Sequence, residues 1–387
     1  MDELFDPTLG AVSNALFTTA LVLYLVAMFA AFFRMAQTAP EGTGADSTRA
    51  GRIAGYAAVG LAASGALAHT VSLLTRGLAA ERVPWANMYE YSSGLALITV
   101  VAGLVVLTRL GLPHLLGFVL GIATVTMAIG LTLYTDPGPV VPALQSYWIR
   151  IHVSTAMLAS GAFMVAFAAN ALYLVKDTAE RRLAAQVDSG FTGSTVGAAG
   201  IDLPPADADG QPVDRLDDDG SGPAYAASTA QRATLRRWPF LAVPFLVVAP
   251  FVWVVADSPG NGLLAGAAAA GVGLATWWSV PYLPSAARLD LIGYRTIAFG
   301  FPIWTFAVIA GAVWAEQAWG RYWGWDPKET GSFFTWLFYA AYLHARSTAG
   351  WRGRRAAWIA VLGFAALMVT YYVVNLFVVG LHSYAGV

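Results

Sequence analysis

The segment Trp319–Asp326 carries the residue types best suited to binding a flat ligand. It holds three tryptophans, a tyrosine, an arginine and an aspartate, and it lies between two long apolar runs. An aqueous loop gains little from three indoles, and a lipid-facing helix disfavours the arginine and the aspartate. The composition therefore predicts a site for a flat, conjugated and partly charged ligand at a membrane surface, with porphyrin as the obvious candidate.

Two histidines are predicted to share one membrane face with this aromatic segment. His152 begins the fifth long apolar stretch, and His382 follows the last one. Imidazole is the usual axial ligand of haem iron, and two imidazoles can hold the iron from opposite sides. Arg150, Arg321 or Lys328 could pair with the anionic propionates. For each histidine alone the alternative is an interfacial residue bonded to backbone, but the neighbouring tryptophans favour ligation.

His344 is predicted to lie at a different depth. It follows Asp326 by 18 residues, which in a helix places it about 20–25 Å below the aromatic segment. It is therefore either a ligand of a second, inner site or a histidine in contact with lipid headgroups, and the residues leave both open. His69 and His114 are expected to be packing or interfacial residues.

The composition places the chain among integral membrane proteins. Hydrophobic residues make up 57% of it and charged residues 12%. The net charge of −1 gives no basic field for nucleic acid. The absence of cysteine excludes disulfides, thiolate metal sites and a Cys-x-x-Cys-His attachment motif. The first apolar run lacks a basic leader, so it is predicted to be a retained helix rather than a signal peptide.

Ten stretches are long and apolar enough, or nearly so, to cross a bilayer as helices. The prediction is an all-α, polytopic membrane bundle of about eight to ten transmembrane helices with both termini outside. The sixth and seventh stretches are the least certain, because only a tight turn separates them. The ten stretches are 11–33, 53–75, 90–108, 113–134, 151–175, 239–256, 262–283, 296–317, 331–345 and 356–380.

Loop charges orient the bundle. With the N-terminus outside, five of the 22 basic residues lie outside and the other 17 lie inside, as the positive-inside rule requires. This places the aromatic segment, His152 and His382 on the outer face of a plasma membrane.

The spans and loops divide the chain into four predicted regions. These are 1–50 with the first helix and an inside linker, 51–176 with helices two to five, 177–237 as a disordered inside loop, and 238–387 with helices six to ten.

The residues after the tryptophans also suggest a structural role. An aspartate followed directly by a proline, with a glutamate three positions after the aspartate, is a helix-start signature. Asp326 and Glu329 are therefore predicted either to cap the ninth helix or to contact the ligand. A second outer aromatic and polar patch, at 84–90, is predicted either to cover the site or to contact a partner.

Several motifs resemble a known family. The pattern of Trp319, Gly320, Trp323, Trp325 and Asp326 resembles the WWD signature of haem-handling proteins, and the Pro-Lys-Glu-Thr that follows extends the match. The segments 84–90 and 336–346 resemble the CcsA/ResC branch of the System II cytochrome c maturation machinery. The resemblance covers about 52–175 and 290–387.

The resemblance implies that the chain exports haem b and presents it at the outer face. His152 and His382 would ligate haem there, and His344 would hold it within the membrane, with the second inner ligand from a ResB-like partner subunit. The reduced Cys-x-x-Cys-His motif of an apocytochrome c would then attack the vinyl groups, and the chain would be part of a haem lyase complex. Thiol-reducing proteins would be indirect partners, because they keep the apocytochrome thiols reduced. The other expected haem contacts are Trp319, Gly320, Trp323, Trp325, Asp326, Arg150 and Arg321.

One departure and three alternatives accompany the resemblance. Gly331 stands where many relatives have another tryptophan, so one wall of the site is expected to be thinner. The chain could instead be a System I haem-handling protein that delivers haem to a chaperone. It could be a membrane cytochrome b-like electron-transfer subunit, or a solute transporter whose tryptophans form an interfacial belt.

Overall fold

The computed structural model describes residues 6–37, 48–192 and 230–382. Within these residues the chain is all α, as predicted, and no strand occurs. Short 3₁₀ turns at Pro113–Leu115, Pro142–Gln145 and Val280–Tyr282 join some of the helices. The ten main helices are α1 (Pro7–Ala36), α2 (Arg49–Ala79), α3 (Met88–Arg109), α4 (Leu116–Thr132), α5 (Tyr147–Thr192), α6 (Trp238–Ala256), α7 (Pro259–Ser279), α8 (Ala286–Trp319), α9 (Pro327–Ser347) and α10 (Arg354–Met368).

The bundle has the dimensions of a polytopic membrane protein, which confirms the predicted fold class. Among the described helices, nine are long and apolar enough to cross a membrane. The exception is α9, which has 21 residues and carries polar side chains along part of its surface. It runs antiparallel to α8, because Trp304 donates to Ser332 O at 3.3 Å near one end and Arg346 binds Asp290 at 2.6 Å near the other.

The sixth and seventh predicted spans form a hairpin, α6–α7, and both helices are long and apolar enough to span. Glycines let the two backbones approach closely. A methyl group on Gly266 would lie 2.5 Å from the Ala249 Cβ. Asp257 makes the tight turn in the left-handed region, with φ of 45°.

Helix α5 continues past its predicted end near 176 and reaches Thr192. Asp177 accepts hydrogen bonds from Arg181 at 3.0 Å and from Arg354 of α10 at 2.9 Å. Lys176 donates to Val280 O at 3.1 Å. These contacts pack the extension against its neighbours, so the boundary of the predicted loop 177–237 lies later than the sequence suggests. Residues 193–229 of that loop lie outside the described residues.

Four connecting segments meet at one end of the bundle. Arg82 donates to Gly138 O at 2.6 Å, which joins the α2–α3 and α4–α5 connections. The Trp314 indole donates to Ala143 O at 2.9 Å, which joins α8 to the same region. We call this end the aromatic end, and its segments are 80–87, 133–146, 320–326 and 378–382.

Candidate functional site

A cavity of about 540 Å³ opens at the aromatic end, between α3, α5, α8, α9 and the end of α10. Pockets that bury small organic ligands commonly have volumes of about 300–1,000 Å³. Five of the predicted haem-binding residues line the cavity, and they come from α5, the α8–α9 loop, the first turn of α9 and the last turn of the described chain. They are Arg150, His152, Trp323, Lys328 and His382.

The His152 imidazole is held by backbone. Its Nδ1 lies 2.7 Å from Ala307 O, and because a carbonyl oxygen can only accept, Nδ1 carries the proton and the lone pair of the neutral ring is on Nε2. Gly311 makes room for the ring, since a methyl group there would lie 2.7 Å from Nδ1. His152 therefore reaches the cavity in the tautomer that ligates metal through Nε2.

The His382 imidazole has the same tautomer but a side-chain partner. Its Nδ1 lies 2.6 Å from Asp326 Oδ2, and the Trp319 ring meets its face edge-on with centroids 4.7 Å apart. Burial and the Lys328 charge lower the pKa of His382 to about 4, despite the opposing effect of Asp326. The ring is therefore neutral near pH 7, with its lone pair on Nε2.

Trp314 links the two imidazoles. Its ring is stacked on His152 at 6.2 Å with an interplanar angle of 9°, and it meets His382 edge-on at 5.5 Å. It is only 1% exposed. Trp314 has no distinguishing signal in the sequence, because it lies within an apolar helix five residues before the aromatic segment.

Asp326 both caps α9 and supports His382. The predicted capping box with Glu329 is confirmed, and Glu329 accepts the Asp326 N–H at 3.1 Å. Asp326 Oδ1 also accepts the Leu381 N–H at 2.7 Å. Burial raises the pKa of Asp326, but the bonds from Leu381 and His382 outweigh it and hold the pKa below its usual range. The carboxylate is thus a hydrogen-bond acceptor beneath the imidazole.

The aromatic segment is divided between the cavity and the surface. Trp323 lines the cavity, whereas Trp325 is 64% exposed and packs against Trp323 at 5.7 Å. Gly320 ends α8 in the left-handed region, with φ of 69°. Arg321 is not among the lining residues, and its guanidinium lies 3.6 Å from the Glu329 carboxylate.

The 84–90 patch forms another wall of the cavity. Trp85, Asn87 and Met88 line it. Glu90 is fully buried and binds Arg76 at 2.9 Å and Arg82 at 2.7 Å. These ion pairs fix the patch to the end of α2 and to the α2–α3 connection, so it is a fixed wall of the cavity.

Sequence comparison places the chain among known proteins. A family model described as cytochrome C assembly protein matches residues 85–382, which include both imidazoles and most of the residues that line the cavity. The chain belongs to this family.

Curated relatives point to the same branch. The chain is 32% identical to the cytochrome c biogenesis protein CcsA of Gloeobacter violaceus, over 96% of this chain and 94% of that protein. It is 36% identical to CcsA of Gloeothece citriformis, over 80% and 81%. It is 34% identical to CcsA of Microcystis aeruginosa, again over 80% and 81%. The chain is therefore a CcsA-type, multi-pass membrane protein with a role in cytochrome c biogenesis.

The departure at Gly331 has a local explanation. A side chain at Gly331 would collide with Thr370. Thr370 lies in a π-helical stretch, Val369–Val374, that continues α10. Thr370 and Tyr371 both line the cavity. In this family member, the π-helical stretch therefore lies where a larger residue at 331 would project.

The remaining histidines lie elsewhere. His344 is near the far end of α9, is exposed and is not among the cavity residues. The buried side chain of His69 bonds Ser93 at 2.8 Å, which confirms its predicted packing role.

Proposed function

We propose that the cavity holds haem b as a substrate, with His152 and His382 as the axial ligands of its iron. The observation that carries this proposal is that both imidazoles line one cavity in the Nδ1–H tautomer. A carboxylate or carbonyl that accepts from Nδ1 is the usual support for a histidine that ligates through Nε2. The aromatic wall at Trp323 suits the faces of the macrocycle.

The protein would present this haem to an apocytochrome c. The two thiols of the apocytochrome c add across the two vinyl groups of haem. In each addition the S–H bond breaks, the sulfur bonds to one vinyl carbon and the hydrogen passes to the other. No external oxidant or reductant is consumed. The histidine of the Cys-x-x-Cys-His motif then replaces one axial imidazole. The chain supplies no thiol, since it has no cysteine. Its contribution is to bind and orient the haem.

Haem export would precede presentation, with His344 as the inner ligand. His344 shares an exposed side of α9 with Phe334, Leu337 and Ala341, at alternating three- and four-residue spacing. This spacing is typical of a helix that packs against another helix. A ResB-like subunit that supplies the second inner ligand would fit this surface. The loop charges support an orientation with the aromatic end outside, and the proposal places the protein in the plasma membrane.

The test is a haem spectrum of the purified protein, alone and with its partner, for His152→Ala, His382→Ala and His344→Ala. We expect the first two changes to remove haem from the outer site, and the third to deplete the inner site and to stop cytochrome c maturation. His114→Gln is the matched control for the outer site, because His114 is not among the cavity residues.

Wild-type haem content and normal maturation in all three variants would overturn the proposal. Co-purification identifies the pathway: a ResB-like subunit supports System II, whereas a haem chaperone would indicate System I.

A further inference from the structure

Lys328 places a positive charge inside the cavity. It is the second residue of α9 and lines the cavity together with both imidazoles. The first turn of a helix disfavours a cation, because the N-terminal end of the helix dipole is itself positive. Lysine at this position therefore does not serve the stability of α9.

Neither nearby carboxylate forms an ion pair with the Lys328 amine, although one oxygen of Glu329 is buried without a hydrogen-bond partner. Asp326 accepts from the Leu381 N–H and from His382. Glu329 accepts from the Gly324 and Asp326 N–H groups through one oxygen. Within the described residues, the side-chain amine of Lys328 makes no hydrogen bond or ion pair, whereas its backbone N–H is bonded to the Asp326 carboxylate.

The other cations near the cavity differ from Lys328. Arg82 is bound to the buried Glu90 at 2.7 Å. Arg321 lies beside Glu329 and outside the lining. Arg150 lines the cavity but has an exposed side chain, where water screens its charge. Lys328 is thus the cation best placed to gain from an anionic group inside the cavity.

Burial lowers the pKa of Lys328 to about 8, although the charge of Asp326 opposes the shift. The protonated amine is therefore disfavoured in the protein alone, and a carboxylate placed beside it would reverse this penalty.

We propose that Lys328 pairs with a propionate carboxylate of the bound tetrapyrrole, and that this pairing selects substrates carrying free acid groups. The inference rests on the proposed function and assigns a role within the same site. It predicts that the cavity distinguishes haem b from haem dimethyl ester, which keeps the ring and iron but lacks both negative charges.

The experiment is an absorbance titration of the purified full-length protein with haem b and with its dimethyl ester. The variants are wild type, Lys328→Met, Lys328→Arg and Arg352→Met. Methionine keeps most of the length of the lysine side chain without its charge. Arg352 is exposed in the α9–α10 connection and is not among the lining residues, so it is the matched control.

We expect wild type to prefer haem b over the ester by at least about tenfold, the scale of one charge-assisted bond. Lys328→Met should lose that preference and bind the ester about as well as wild type does. Lys328→Arg should retain the preference, and Arg352→Met should match wild type.

An unchanged preference in Lys328→Met, with both ligands still coordinated by histidine, would overturn the inference and leave the proposed function intact. Failure of wild type to bind either ligand would refute the proposed function and the inference with it.

Discussion

Asp326→Asn tests whether the carboxylate beneath His382 sets the ligating tautomer. Asparagine is about as good an N-cap as aspartate, so α9 should still begin at Pro327. However, the amide has only one acceptor oxygen. If that oxygen accepts the Leu381 N–H, the NH₂ group faces His382 Nδ1. The imidazole must then move its proton to Nε2, which blocks ligation.

The magnitude follows from the bond that is lost. Nδ1 of His382 and Oδ2 of Asp326 are 2.6 Å apart, and a hydrogen bond to a charged group contributes about 1.5–3 kcal/mol. Loss of such a partner typically weakens metal binding by about 10- to 100-fold. Replacing the carboxylate with a neutral amide should also raise the reduction potential of any iron that stays bound, because negative charge near the iron stabilises the ferric state.

The assay combines haem titration, redox titration and thermal unfolding of Asp326→Asn and Asp326→Ala. The asparagine variant keeps the cap and should be destabilised only by the weakened His382 bond, whereas the alanine variant also loses the cap, at a further cost of about 1 kcal/mol in stability. If Asp326→Asn binds haem with wild-type affinity and potential, the carboxylate does not act through His382 and our reasoning fails.

Three further changes probe other parts of the site. Gly311→Ala should push the His152 ring from its position and weaken haem binding by at least about tenfold, whereas Gly271→Ala, which meets open space, should leave it unchanged. Glu90→Gln should lower the free energy of unfolding by about 3–5 kcal/mol, measured by denaturation, because it leaves the buried Arg76 and the partly buried Arg82 without their anion. The preference for haem b over its ester should be full below pH 8 and fall as the pH rises through about 8, since the Lys328 pKa is about 8. A preference independent of pH would contradict that assignment.

Much of the bundle could be predicted from the sequence, because a bilayer permits few structures. Each apolar stretch must satisfy its own backbone hydrogen bonds, so length and composition almost define the helices. The sequence is a poorer guide to helix ends that are stabilised by side-chain contacts with distant parts of the chain. Helix α5 extends past its predicted end near 176, and there Asp177 binds Arg354, a residue far along the chain. No local pattern at 177 signals that partner.

The convergence of His152 and His382 follows from topology alone, but their chemistry does not. The tautomer of His152 depends on the backbone carbonyl of Ala307, which no side-chain motif marks. The sequence also does not show which tryptophans line the cavity and which lie at the surface. Trp325 adopts φ of 58°, which turns the chain in a region that side chains seldom occupy, and its ring is exposed while Trp323 lines the cavity.

Asp326 shows why a cap and a ligand support need not be alternatives. An N-cap must lie at the start of a helix, and here that start is at the aromatic end, beside the last described turn of the chain. The same placement brings its second oxygen to His382 and its first to the Leu381 N–H. Gly380 permits this approach, since a methyl group there would lie 2.7 Å from the Asp326 carboxylate. Asp326 therefore fixes both the start of α9 and the position of the His382 imidazole, so a shift of α9 would also move that imidazole.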